Sequence, residues 1–488
     1  MDAQKQAQTK GGSVGKLEKA FCRPKETASR PAAGPYVPAL FGFCFALAFP
    51  TMFMGQTAPG ILALGPSAIY LYYGFSIVAY AAIAVLSRHG LTLKGCHRAL
   101  TAATCLCVTG AVTVMVSIAC EDPTWSLVLF LVGTPLSAIG SSIMMLAWYE
   151  LIASLSVDYA MLCFIGAGLL ASGLRLTCFM LPVALPGVIY VAICLMPIAS
   201  LVCLIRGTAA VRDMPYAQGE AVSPRWEFPW MPVLLLGMFN LVGKFVLNTM
   251  AESDKGYTAV AGVICYGILL AVALLGFKRF PYRMIRYAAL PLMLCGMLCQ
   301  INGSTFAIPG MVATRIAQEA LLAFVVSLLF DLSFRRGVNA LWVFGLTLAC
   351  GQAGSLAANL LSVELADGLA NGLATPVMSI LIVAVTVAFV ALTSDTSLAG
   401  GWGIEPSGEA DASIGTPGAG LADACSRAAR QYDLTRREED VLLMRLKGAS
   451  LKEVEESLCI THNTVKSHVR HIYAKLGVTN IDEAREKV

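Results

Sequence analysis

Charged residues are scarce in this sequence: Asp, Glu, Lys and Arg make up only 14% of its 488 residues, whereas hydrophobic residues make up 57%. A soluble domain usually carries about 25% charged residues. This shortage excludes a single large soluble enzyme, and the hydrophobic content excludes intrinsic disorder over most of the chain. The composition instead predicts a membrane protein. The sequence has 44 glycines and 22 prolines, and membrane-spanning helices tolerate both residues more often than soluble helices do.

Motifs for catalysis or cofactor binding are also missing. We find no glycine-rich nucleotide loop, no pairing of a nucleophile with a base, and no His, Cys and carboxylate spacing that suits a metal. Most of the 16 cysteines lie within apolar runs, where a free thiol packs like a small hydrophobic group. The sequence therefore predicts a protein that is not an enzyme and that holds no cofactor or metal.

The few charges are unevenly distributed along the chain. Residues 1–392 contain 39 charged side chains, whereas the last 96 residues contain 27, which is the density of a soluble surface. The sequence thus predicts a basic cytoplasmic tail (1–36), a transmembrane domain (37–392), a flexible Gly/Pro-rich linker (393–432) and a small soluble domain (433–488). The linker is predicted because no apolar periodicity survives among its glycines and prolines.

Apolar runs of the length that crosses a bilayer, about 20 residues, recur along the transmembrane domain. Basic residues accumulate in the N-terminal tail and in every second loop, whereas the opposite loops are neutral or acidic. By the positive-inside rule, this pattern predicts a multi-pass protein of the cell membrane with both termini in the cytoplasm. The twelve predicted spans are 37–57, 65–87, 99–119, 124–147, 157–181, 184–205, 230–250, 257–277, 287–306, 309–333, 338–362 and 374–392.

The longest loop within the transmembrane domain separates six spans from the next six. Two six-helix halves joined by a cytoplasmic connection, here about 206–229, resemble the major facilitator architecture. The resemblance is architectural, because a full set of transporter motifs is missing. Only Arg88, His89 and Gly90 echo the basic and glycine-rich signature that this family carries after its second span.

Four ionisable residues stand out within the predicted spans: Arg175, Lys244, Arg315 and Glu319. Such residues are rare in hydrocarbon and usually face a partner or a cavity. On the predicted topology they lie in the outer half of the membrane or near its midplane. Arg315 and Glu319 are spaced i,i+4 and can pair, which leaves excess positive charge. Two interpretations stay open: a cavity for an anionic ligand such as a carboxylate, or stabilisation of helix packing.

The soluble domain shows explicit helix starts. Thr435 with Glu438 and Ser450 with Glu453 form capping boxes, Thr461 can cap a third helix, and Asn480 can start a fourth. The short turn before Thr461 predicts a helix-turn-helix. The third helix, from Thr461 onwards, contains several bases and no acid, although the domain has as many acids as bases. This segregation of charge favours an element that faces DNA phosphates and base edges.

Three segments extend this indication to a family: L-T-R-R-E-E-D-V-L, G-A-S-L-K-E-V and I-T-H-N-T-V-K-S-H-V-R-H-I-Y-A-K-L-G-V. Over about 433–484 they resemble the LuxR-type DNA-binding domain. The resemblance implies a four-helix domain whose third helix reads the major groove of double-stranded promoter DNA, usually as a homodimer. It further implies base-edge positions and backbone positions on that helix. The base-edge positions are Lys466, Ser467 and Arg470, and the backbone positions are Thr464, His468 and Lys475.

The predicted fold class is therefore all-α: a 12-helix transmembrane bundle with a C-terminal four-helix LuxR-type domain. Two functions follow from this combination. The first is a membrane-bound one-component transcription regulator, whose body senses a ligand or a membrane signal. The second is a secondary transporter of the major facilitator type with a regulatory DNA-binding tail. Lipid and DNA are expected partners in both cases.

Overall fold

The computed structural model describes residues 36–63, 67–88, 91–155, 157–180, 186–212, 228–249, 256–274, 282–301, 306–336, 338–365, 373–393, 419–458 and 460–488. Most of the predicted tail (1–36) and residues 394–418 of the predicted linker (393–432) lie outside this range, as do His89 and Gly90. Within the described residues there are helices and no strand, so the predicted all-α class is confirmed.

Twelve of the described helices form the membrane body, which ends with the last apolar helix among the described residues. They are α1 (Tyr36–Ala63), α2 (Ser67–Ser87), α3 (His97–Ala119), α4 (Pro123–Ala153), α5 (Val157–Met180), α6 (Pro186–Arg212), α7 (Trp230–Asn248), α8 (Tyr257–Leu274), α9 (Tyr282–Ile301), α10 (Ala307–Arg336), α11 (Ala340–Glu364) and α12 (Ala374–Thr393).

The predicted count of twelve spans needs a correction. Ten of the described body helices are long and apolar enough to cross a membrane. The other two, α9 and α12, coincide with predicted spans, but their apolar stretches, Ala288–Ile301 and Thr375–Val390, have fewer than 18 residues.

The two six-helix halves meet mainly along two helix pairs. Helix α2 packs against α11, and α5 packs against α8, while the closest packing within the halves joins α3 to α4 and α9 to α10. Small residues allow this packing, because backbones approach closely only where side chains are short. A methyl group added at Gly354 of α11 would overlap the carbonyl oxygen of Gly237 in α7.

We expect Gly354→Ala to force α7 and α11 apart. The resulting strain should lower the free energy of unfolding by about 1–3 kcal/mol, as overpacking of a filled core does. Thermal unfolding of the purified protein in detergent measures this change. The matched control is Gly74→Ala, whose added methyl meets no atom within 4 Å. The midpoint temperature of unfolding of this variant should not fall. A Gly354→Ala midpoint equal to the wild-type value would contradict the prediction.

Five of the described helices form the C-terminal domain: the four that the sequence predicts after residue 433 and one that precedes them. They are α13 (Ala419–Gln431), α14 (Arg436–Leu446), α15 (Leu451–Leu458), α16 (His462–Leu476) and α17 (Ile481–Lys487). Helix α13 lies in the segment predicted as linker, yet its Cys425 is fully buried in the core of the domain. Its Ser426 Oγ donates a hydrogen bond of 2.7 Å to the Glu439 carboxylate of α14. The folded domain therefore begins before residue 433.

Candidate DNA-binding face and intramembrane charge cluster

The helices of the C-terminal domain begin at the residues that the sequence indicates. Thr435 Oγ1 accepts a hydrogen bond from the Glu438 amide, and the Glu438 carboxylate accepts one of 2.8 Å from the Thr435 amide. Thr461 Oγ1 accepts from the Thr464 amide at the start of α16. Gly477 ends α16 with φ of 65°, a left-handed conformation that favours glycine. These caps fix the register and the length of α16.

Helix α16 buries one side and exposes the other. Val465, Ile472 and Leu476 are buried against the rest of the domain. The predicted base-edge residues, Lys466, Ser467 and Arg470, are exposed, and the predicted backbone residues, Thr464 and His468, are partly buried. Helix α16 thus presents a face without acids that an approaching duplex can reach.

The third predicted backbone residue, Lys475, has partners within the domain. Its Nζ donates hydrogen bonds of 2.8 Å to the Glu438 carboxylate and 2.8 Å to the Asp433 carbonyl oxygen. Glu438 is buried, and His471 Nδ1 lies 4.0 Å from its other carboxylate oxygen. Glu438 therefore ties the start of α14 to the end of α16, and contact of Lys475 with DNA would compete with this ion pair.

His468 does not contribute a fixed positive charge. Its partial burial lowers the pKa of the ring below the ordinary value of 6.5, although Glu438 opposes the shift. The imidazole is therefore mainly neutral near pH 7. A contact between His468 and a phosphate then depends on its N–H groups rather than on an ion pair.

Glu438 makes the stability of the domain depend on pH. Burial opposes ionisation of its carboxyl, but hydrogen bonds from Lys475 and Thr435 outweigh burial and hold its pKa below the ordinary value of 4.5. The ionised Glu438 carboxylate contributes fully to the free energy of unfolding above its ordinary pKa. This contribution is lost as the pH falls through the lowered pKa. We expect residues 419–488 to lose stability over this acidic range. Urea unfolding followed by circular dichroism measures the loss.

The matched variant for this test is Glu438→Gln. At pH 7 it should unfold more readily than the wild type by about 1–2 kcal/mol, because it loses a charged cap and an ion pair. Other acids remain in the variant, among them Glu483, whose pKa is also lowered, mainly by the Thr479 amide. The difference between the two proteins should shrink on acidification. A difference that stays constant down to pH 3 would refute this role of Glu438.

Glu455 departs from the family pattern, and its side chain contacts another helix. Glu455 stands in α15 where the resemblance implies a small apolar residue. The structure places its carboxylate 3.3 Å from Nδ1 of His462, the first residue of α16. The two helices of the helix-turn-helix are therefore joined by a polar contact at this point.

In the membrane body, three of the four predicted ionisable residues come together. Arg315 and Glu319 form an ion pair of 2.5 Å on α10, and Glu319 is buried. Arg175 on α5 interacts electrostatically with both of them. We call Arg175, Arg315 and Glu319, together with Tyr266 of α8, the charge cluster. Tyr266 donates a hydrogen bond of 2.7 Å to the second carboxylate oxygen of Glu319.

The charge cluster has two guanidinium groups and one carboxylate. Both Glu319 oxygens are occupied, whereas Arg175 has, among the described residues, a short hydrogen bond only to the Ser172 hydroxyl, 2.9 Å away. The Nε atoms of Arg175 and Arg315 are buried without a hydrogen-bond partner in the described part of the chain. The Arg315 side chain nevertheless keeps 29% of its surface exposed. The cluster therefore combines excess positive charge with unused donors.

The fourth predicted residue, Lys244, lies outside the charge cluster. It is on α7 between Asn240 and Asn248, which are one helical turn away on either side. Asn248 Nδ2 donates to Asn359 Oδ1 of α11 over 3.0 Å, so this face of α7 points to α11. Among the described residues, no ion pair joins Lys244 to the cluster.

Two residues with functional contacts, Tyr266 and Asp331, were not predicted from the sequence, for different reasons. Tyr266 has no sequence signal, because its proximity to Glu319 depends on how α8 and α10 pack. Asp331 did have a signal, since it is a third ionisable residue within predicted span 309–333. In the structure its carboxylate lies 3.2 Å from the Arg436 guanidinium of the C-terminal domain.

Comparison with known proteins identifies the C-terminal domain. Residues 433–487 match the family described as bacterial regulatory proteins, luxR family. The uncharacterized transcriptional regulatory protein YhcZ of Bacillus subtilis (strain 168) is 46% identical over 55 residues, which are 11% of this chain and 26% of that protein. The chain thus spans about a quarter of the length of this relative. The predicted LuxR-type domain is confirmed, and the similarity is confined to it.

The membrane body is similar in structure to transporters. A bacterial homologue of the iron transporter ferroportin, in an outward-facing state with soaked iron, has a TM-score of 0.54 at 13% identity, covering 74% of this chain and 98% of that one. FucP, a Major Facilitator Superfamily transporter, has a TM-score of 0.47 at 10% identity. The match covers 74% of this chain and 98% of FucP. The likeness to the first shows a shared fold. The chain joins a domain that matches the luxR family to a multi-pass body that shares the fold of this ferroportin homologue.

Proposed function

We propose that the chain is a membrane-bound one-component transcription regulator of the cell membrane, with both termini in the cytoplasm. The observation that carries this proposal is the exposed, acid-free face of α16 in a LuxR-type domain on a multi-pass body. A protein that reads DNA exposes such a face, because phosphates and base edges both favour cationic donors.

On DNA, the residues of α16 take different roles. Lys466, Ser467 and Arg470 contact base edges in the major groove, while Thr464 and His468 contact the backbone. Lys475 reaches the backbone only when it leaves Glu438. Two copies of the domain bind the two halves of a symmetric operator, as helix-turn-helix dimers do.

The charge cluster is the proposed sensing site, and its ligand is an anion such as a carboxylate. Two guanidinium groups face a single carboxylate, and unused Nε donors point to a ligand that accepts hydrogen bonds. A metal cation fits this site poorly, because the guanidinium groups repel it. The ligand must bind one conformation of the body better than another, since a ligand without such a preference shifts no equilibrium.

A second candidate function is transport of the same anion, with the DNA-binding domain as a regulatory tail. One observation favours it: the charge cluster joins the two halves of the body, with Arg175 in the first six helices and Glu319 in the second six. In transporters built from repeats, substrate sites lie at such an interface.

The test uses the full-length protein in lipid nanodiscs and sheared genomic DNA of its own organism. A regulator retains a small set of fragments, whose footprints show paired half-sites about ten base pairs apart. Retained DNA that matches the input mixture would refute the regulator. Uptake of labelled lactate, succinate or phosphate into proteoliposomes tests the second function. Uptake that Glu319→Gln abolishes would support a transporter.

A further inference from the structure

The DNA-binding domain contacts the body through the first residue of α14. Arg436 Nη2 lies 3.2 Å from the Asp331 carboxylate of α10, and both side chains are partly exposed, at 23% and 40%. Helix α13 also packs against α10. The contact therefore joins one end of a body helix to the first helix of the segment that matches the luxR family.

The next residue contacts a second body helix. The guanidinium carbon of Arg437 lies 5.7 Å from the ring centroid of Tyr159, over its face, and Tyr159 is in the first turn of α5. A cation above an aromatic face is attracted by the negative electrostatic potential that the ring quadrupole creates there. Two successive arginines thus bridge α5 and α10, and we call Asp331 with Tyr159 the docking site.

The same two helices carry the charge cluster at a distance from the docking site. Along α10, Asp331 follows Glu319 by twelve residues, which is about 18 Å of helix. Along α5, Arg175 follows Tyr159 by sixteen residues, about 24 Å. Helices α5 and α10 also contact each other. A change in the distance between Arg175 and Glu319 therefore tilts α5 and α10, whose other ends contact the DNA-binding domain.

We propose that the docking site holds the DNA-binding domain in a resting position and that the charge cluster controls its occupancy. Lys466 and Arg470 remain exposed while the domain is docked, so docking does not cover the DNA-reading face. It fixes one domain against its own body, which opposes the pairing of two domains on an operator. An anion that binds the two guanidinium groups changes the spacing of α5 and α10 and releases the domain. The signalling part of this inference rests on the proposed function.

Docking is tested by a zero-length crosslink in the full-length protein. Arg436→Lys keeps the positive charge, and carbodiimide then joins the introduced amine to the Asp331 carboxylate as an amide with loss of water. Mass spectrometry of the digested protein in nanodiscs should find this linked peptide. Asp331→Asn removes the carboxylate and should abolish it. Lys452 is the internal control, because its side chain is 82% exposed on α15 and should not link to Asp331.

A second probe forms its crosslink without the two groups of the ion pair. Tyr159 is replaced by the photoreactive residue p-benzoylphenylalanine, which keeps an aromatic ring, and light should link it to α14. Asp331→Arg should lower this yield about fivefold, because repulsion replaces a partly exposed ion pair. The matched charge change Lys452→Asp should leave the yield unchanged. If neither probe links the domain to the body, docking is wrong.

Coupling is tested in the same assay without a known ligand. Glu319→Gln leaves Arg175 and Arg315 to repel each other, so α5 and α10 should separate. The linked fraction should then fall at least about fivefold, the lower end of typical coupling between sites. Tyr266→Phe, which removes one hydrogen bond to Glu319, should lower it less. Tyr72→Phe removes a buried bond of 3.0 Å to Ser141 in helices without either site, and should change nothing.

The outcomes separate this inference from the proposed function. A linked fraction that Glu319→Gln and Tyr72→Phe leave equally unchanged would overturn the coupling. Capture of genomic DNA fragments is measured on the same preparations. Specific DNA capture without any crosslink refutes docking and leaves the regulator intact. A crosslink without specific DNA capture supports docking and refutes the regulator.

Discussion

Replacing both Lys466 and Arg470 by alanine is expected to lower the specific DNA affinity of the full-length protein at least about thirtyfold, since each such base-edge contact contributes roughly 1–3 kcal/mol. Both side chains are exposed on α16 and contribute nothing to the core of the domain, so the fold should survive. Fluorescence anisotropy with a captured genomic fragment measures the affinity. Circular dichroism verifies that the helix content is unchanged.

The control for this prediction is Lys452→Ala. Lys452 is a base of the same domain, but it lies on α15 and has only a weak contact of 4.0 Å with Glu456. Its loss should reduce affinity for all sequences slightly, by removing long-range attraction of phosphates, and should leave the preference for the operator intact. If the Lys466 and Arg470 double variant bound its operator as tightly as the Lys452 variant, α16 would not be the recognition helix.

Removal of the Glu319 carboxylate is expected to be the most damaging single change in the membrane body. Glu319→Ala leaves two guanidinium groups and the Tyr266 hydroxyl without their common partner. Breaking a buried ion pair from one side costs about 3–5 kcal/mol. Thermal unfolding in detergent should show the loss as a lower midpoint. A reporter gene driven by the identified operator should also stop responding to the signal.

A carboxylate outside the cluster provides the comparison. Glu364, the last residue of α11, is exposed, so Glu364→Ala should leave both the midpoint and the response near wild type. Glu319→Gln separates the two effects, because it keeps the shape of the side chain and removes only the charge. A Glu319→Gln protein that is stable and responds normally to its signal would refute the proposal that the charge cluster is the sensing site.

Local signals account for most of what could be predicted. Helix starts such as Thr435 with Glu438 depend on residues three positions apart, and apolar spans depend on composition over about 20 residues. The charge cluster was predicted only in part, because the rotation of a helix is decided by its neighbours. Lys244 and Arg175 look equivalent in the sequence, yet of these two described residues only Arg175 interacts with Glu319. The helix α13 was missed, since its small residues resemble those of the adjoining Gly-rich segment.

Helix α13 has a consequence for how this protein is dissected. The segment that matches the luxR family begins at residue 433, but Cys425 and Ala429 of α13 complete the core against α14. We expect a fragment cut at 433 to expose that apolar surface to water and to be less stable than residues 419–488. Because α13 also packs against α10, a chimera that receives a foreign LuxR-type domain must keep α13 and redesign its face toward the new domain. The exchangeable module is therefore longer than the family match.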